Sequence, residues 1–131
     1  MRLPATSTRV VEHSPTSANL AIQEATEQRI AWYTQHPEAI PTRLDELTRE
    51  WDMERTLELN AATIGLLGFA LSPINKKFLI LPGVVFGFLA QHALQGWCPP
   101  IEVFRRLGFR TQTEIERERH RLEQILANKS A

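Results

Sequence analysis

LNAATIGLLGFALSPINKKFLILPGVVFGFLAQHALQGWCPP, residues 59–100, is the stretch that decides how this chain folds. The chain carries 15 Lys and Arg and 15 Asp and Glu, and of these only Lys76 and Lys77 fall between residues 59 and 101. The two lysines divide the stretch into uncharged runs, Leu59–Asn75 and Phe78–Ile101. The first run rises roughly 25 Å as a helix, slightly less than a hydrocarbon core of about 30 Å. The second is longer and more apolar, and its Pro82 is tolerated near the start of a membrane helix. Between them SPINKK is a short turn that returns the chain antiparallel. The expected fold is all-α: a membrane helical hairpin of two antiparallel transmembrane helices (about 59–73 and 78–97) flanked by amphipathic cytoplasmic helices. A soluble α-helical interaction protein, with the hairpin as its core or oligomer interface, is the competing reading. A continuous exposed apolar belt favours lipid, and a covered one favours a soluble core.

Composition narrows the function classes. At 131 residues with zero net charge, the chain offers no global field for nucleic acid and no room for a catalytic module beside the hairpin. The mean hydropathy of −0.24 averages a charge-free third against charge-rich flanks. The single cysteine, Cys98, excludes an internal disulfide and a CxxC site. The opening MRLPATSTRVVEH has no apolar core before Glu12 and His13, so a cleavable signal is not expected and the hairpin itself must direct insertion.

Residues 1–16 are expected to be mobile and residues 17–58 to form charged, amphipathic helices. One helix runs through ANLAIQEATEQRIAWYTQ to about His36, with Ile22, Thr26, Ile30 and Tyr33 on one face. It has two open readings, lying at the membrane surface or packing on protein. Pro41-Thr42 opens a second helix, with Thr42 and Asp45 near a capping-box arrangement and Leu44, Leu47 and Trp51 as its stripe. This helix either continues into the hairpin or restarts at Asp52. After the hairpin, residues 101–131 read as cytoplasmic helices: a short one over Ile101–Leu107 closed by Gly108, then TEIERERHRLEQILAN capped by Thr111 and Glu114. Pairs Glu114–Arg117, Glu116–Arg119 and Glu118–Arg121 are expected along the last helix. Its thin stripe of Ile115, Leu122, Ile125 and Leu126 is able to dock on residues 42–58.

Within the hairpin, a turn near residue 74 places position n level with about 149 − n. Ala61, Gly65, Gly68, Gly83, Gly87 and Ala90 are the helix-packing candidates, since small residues let backbones approach in lipid. They serve either contacts inside the hairpin or pairing with a second copy. Asn60, Gln91, His92 and Gln95 form a polar cluster at the chain-terminal end, read mainly as hydrogen-bonding one another or headgroups. One His and one Cys are too few ligands for a metal, so no metal or cofactor is expected. Cys98 is a candidate reactive thiol, weighed against plain packing. Arg43, Arg49, Arg55, Arg105, Arg106 and Arg110 against Lys76 and Lys77 place both termini in the cytoplasm.

GWCPPIEVFRRLGFRTQTEIERE, with the upstream DMERTLELNAA and the Gly-rich helices between, resembles the YgaP-like transmembrane domain family over about residues 52–120. The resemblance rests on Gly96-Trp97-Cys98-Pro99 and Leu107-Gly108. It implies a bacterial inner-membrane hairpin of unassigned role that self-associates, found alone or fused to rhodanese domains. This chain has no rhodanese-like αβ pattern. A separate rhodanese-type protein is therefore the partner that the resemblance implies for a sulfur or redox relay through Cys98. The leading expectation is a non-enzymatic homo-oligomer in the lipid bilayer, without nucleic acid.

Overall fold

A computed structural model describes residues 2–131, and among them every regular element is helical. Met1, the first residue of the segment expected to be mobile, lies outside the described residues. The elements are α1 (Arg9–His13), α2 (Thr16–Gln35), α3 (Ile40–Arg49), α4 (Met53–Leu71), α5 (Ile80–Gln95), α6 (Pro99–Arg106) and α7 (Gln112–Ser130). Short 3-10 turns at Pro37–Ala39 and Lys76–Leu79 lead into α3 and α5.

The most extensive packing is α4 against α5, which makes the hairpin, while α2, α3 and α7 assemble a helical head joined to it through α6. Gly68 sets the hairpin's close approach. A Cβ there would lie 2.5 Å from Pro82 Cδ and 2.9 Å from the Phe78 carbonyl oxygen, so only hydrogen fits. Nearer the middle, the Phe69 and Phe86 rings meet at a tilt, with centroids 6.4 Å apart.

Two apolar cores lie below the hairpin. One joins Val10, Met53, Leu57, Cys98 and Ile101 with Phe88, Leu89, Phe104 and Phe109 packed around them. The other joins Ile30, Ile40, Leu47, Ile115 and Leu122, so the α7 stripe does dock on α3 and also takes up the apolar face of α2. Several local expectations change. Residues 9–13 form a helix because Val10 enters the first core and Gly96, in the left-handed region at φ 79°, backs directly onto the Arg9 carbonyl. Residues 42–71 are not one helix, since the chain is extended at Glu50 and Asp52 caps α4 by accepting from the Arg55 N–H at 2.8 Å. The start of α3 makes no side-chain cap, because Ile40 is already helical and Thr42 lies inside. Thr111 and Glu114 do form the capping box of α7.

Candidate functional site

The hairpin has apolar side chains on its outside. Leu66 is 68% exposed, Ile74 79%, Ile80 64% and Phe86 50%, and Leu59, Leu67, Phe69, Leu79, Val84 and Leu94 are exposed with them. Water penalises such area by about 25 cal/mol per Å², so this many exposed apolar side chains on two paired helices mark a surface that meets something apolar. Lys76–Gln95 is long and apolar enough to cross a membrane, and little of it is buried. The apolar part of α4 is shorter, which leaves one membrane-length helix among the described residues.

The packing residues split between two surfaces. Ala61, Gly65 and Gly68 are buried inside the hairpin, and a Cβ on Gly65 would meet the Phe86 ring at 3.7 Å. Gly83, Gly87 and Ala90 are exposed, and a Cβ on either glycine would meet nothing within 4 Å. The GxxxG therefore lies on the outer face of α5.

The polar residues at the hairpin's base do not gather into one cluster. Gln91 donates to Gln95 at a long 3.5 Å on the exposed side. His92 is buried and turns the other way, its Nε2 2.7 Å from Glu54 Oε2, while Arg9 approaches the other oxygen of Glu54 at 3.2 Å. The hydrogen bond with His92 holds the Glu54 carboxyl below its ordinary range, against the effect of burial. His92 Nδ1 is buried without a partner. Asn60 lines a separate apolar crevice of about 130 Å³ with Leu57, Ala61, Phe88 and Cys98. Cys98 is fully buried, and burial pushes its thiol above the ordinary value, which keeps it protonated and shielded.

Beneath the base lies a set of buried ions. Glu118 has no exposed surface and accepts from Arg29 Nη2 at 3.2 Å, from Arg43 Nε at 3.0 Å and from Arg110 Nη1. Arg110 also clasps Glu50 through Nε at 2.8 Å and Nη2 at 2.5 Å. Arg105 grips both oxygens of Glu114 at 2.7 and 2.8 Å, and reaches Asn19 Oδ1 and the Phe109 carbonyl. Burial works to raise Glu118, but hydrogen bonds from Arg43 and Arg29 and the charge of Arg110 outweigh it and hold the carboxyl low. Glu114 is likewise lowered, where Arg105 and the Thr111 N–H overcome burial.

These long-range partners displace two of the three expected helical pairs. Glu114 turns to Arg105, Glu118 turns to three other arginines and Arg121 reaches Glu27; Glu116–Arg119 alone forms as expected, at 3.3 Å. Sequence reasoning missed the ion set, although its signal was present. Ile115, Glu118, Leu122 and Ile125 run at spacings of three and four, so Glu118 sits inside the stripe. Beside the ions a cleft of about 290 Å³ opens between α2 and the α6–α7 turn, lined by Ala21, Ala25, Arg29, Arg105, Leu107 and Arg110 among others. Among the described residues no three His, Cys, Asp or Glu side chains group as a metal site. No family model, curated protein or solved structure matches the chain.

Proposed function

We propose that this is a non-enzymatic membrane protein whose hairpin enters the bilayer as two spans and pairs with a second copy through the outer face of α5. The observation that carries the reading is the uncovered apolar surface of α4 and α5. A soluble bundle would turn these side chains inward. Instead the residues inside the hairpin are largely the small ones, and the large ones face out. In lipid that arrangement is the low-energy one, since tails meet Leu66, Ile80 and Phe86 while small residues bring the helices together. The apolar part of α4 spans only about 20 Å, so its ends are matched to the bilayer by local thinning or tilt.

Gly83, Gly87 and Ala90 leave a shallow track on α5 that a second hairpin fits, which supports self-association. The excess of arginine on the head supports cytoplasmic termini. The likeness to YgaP-like transmembrane domains supports a bacterial inner membrane. The relay reading, with Cys98 exchanging sulfur with a rhodanese-type protein, is favoured by no feature of the site. A thiol that is buried and kept protonated meets no partner without local opening.

Membrane fractionation tests the proposal. The chain should stay with membranes through alkaline carbonate and need detergent to leave them. A protein recovered soluble and monomeric without detergent would overturn it.

A further inference from the structure

We infer that the crevice between α4 and α5 at the hairpin's base holds one acyl chain of a membrane phospholipid. The inference rests on the membrane reading above and adds a defined lipid site to it. α4 supplies Leu57, Ala61 and Ile64 to the crevice, and α5 supplies Val85, Phe88 and Leu89. Its walls are almost wholly carbon, with Asn60 the only amide among the lining residues and Cys98 and Pro100 at the end next to α6. An apolar space of about 130 Å³ excludes water and takes apolar guests. Leu57 and Ile64 stand about 10 Å apart along the α4 axis, so the space is a slot along the helical seam, suited to a hydrocarbon chain. Leu57 and Cys98 belong to the first core, and Phe88 and Leu89 pack on it. The slot is therefore an unfilled edge of that core, and an apolar chain lying in it completes the packing.

The position of the slot on the two helices says where its occupant comes from. By helical rotation, Val85, Phe88 and Leu89 lie on the side of α5 nearly opposite Gly83, Gly87 and Ala90. A second hairpin seated on the glycine track therefore leaves the slot uncovered. Asn60, Ile64, Val85 and Leu89 are only half-buried, so the slot opens to the outside. Leu67, one turn beyond Ile64, and Val84, one turn before Phe88, continue the same faces and are exposed. A chain in the slot thus runs out onto the apolar surface that the hairpin offers to lipid. Its direction also suits a lipid. Glu54 and Glu58 mark the lower end as headgroup depth, and the slot leads from there toward the uncharged middle of the hairpin.

The test uses the full chain purified in a bulky steroid-based detergent. Phosphatidylcholine is added stepwise, and bound lipid is counted by native mass spectrometry. One saturable phospholipid per chain is expected, and phosphatidylglycerol should bind as well, since carbon walls read the tail and not the headgroup. Ala61→Leu fills the slot from α4, and Val85→Phe fills it from α5. Each should weaken retention by about tenfold or more. Ala62→Leu adds the same bulk to an exposed neighbour and should leave retention unchanged. Uptake by the wild-type chain that never saturates would overturn the inference, whatever the variants do. So would wild-type retention by a filled variant that keeps its helical circular dichroism. A dimer that carries no lipid would give the slot to a second copy and overturn it too. Carbonate extraction reports the membrane reading separately: a chain that stays in membranes yet retains no phospholipid overturns this inference alone.

Discussion

Glu118→Gln is the substitution with the largest expected effect on the head. The side chain has no exposure and accepts from Arg29, Arg43 and Arg110. Glutamine keeps the volume and one carbonyl, but its amide turns a donor toward a guanidinium donor. Arg43 and Arg110 then keep Glu50, and Arg29 loses its carboxylate partner in a poorly solvated place. Removing one member of a buried ion set costs about 3–5 kcal/mol, from a total stability of roughly 5–15. Glu116→Gln is the control, because its pair with Arg119 is half-exposed and should be worth under about 1 kcal/mol. Urea unfolding at fixed detergent, read by circular dichroism, reports the head helices α2, α3 and α7. Acid provides a second readout with a definite sign. Glu54, Glu114 and Glu118 are all depressed below the ordinary 4.5. The unfolded chain therefore binds protons first as pH falls, so their contribution is complete above about pH 5 and is lost through the depressed values. The Glu118→Gln variant should show a shallower acid limb. Stability within about 0.5 kcal/mol of wild type, with an unchanged acid limb, would refute the view that these ions hold the head together.

Other outcomes follow from the hairpin. Leu66→Arg puts a charge at a site that is 68% exposed; it should cost about 2.5–3.5 kcal/mol of insertion, visible as loss from carbonate-washed membranes, whereas a water-facing site would accept it. Gly68→Leu must push against Pro82 and the Phe78 carbonyl, opening the hairpin at a cost of about 1–3 kcal/mol in thermal melts. At Gly83 a Cβ meets nothing within 4 Å, so Gly83→Leu should leave the monomer folded and abolish resonance energy transfer between labelled copies in bilayers. Cys98 should react with a small maleimide only on unfolding, and labelling of the native protein at the rate of free cysteine would show that the first core opens readily.

Much of the architecture was legible in the residues. The absence of charge from 59 to 101, broken by Lys76 and Lys77, announced a hairpin and its turn, and the helices meet there through Gly68 as the antiparallel register expects. The capping box at Thr111 was readable because it is written in residues three apart and depends on nothing distant. Membrane-length apolarity was readable for Lys76–Gln95 alone, since α4 begins with Glu54 and Glu58 and so has fewer apolar turns. The polar end of the hairpin is not one group. Helical rotation sends His92 inward to Glu54 and leaves Gln91 and Gln95 outside, which a register by depth does not capture.

The sequence by itself determined the division into an uncharged hairpin and charged helices, because solvent preference is a property of each segment's own side chains. It also determined where the chain turns and where the last helix is capped, because those interactions are local. Only the tertiary structure decided which charges pair. Glu114 and Glu118 abandon their helical neighbours for arginines up to 89 residues away, since a carboxylate removed from water gains more from several guanidiniums than from one exposed partner. The same packing sealed Cys98 and turned Gly83 and Gly87 outward.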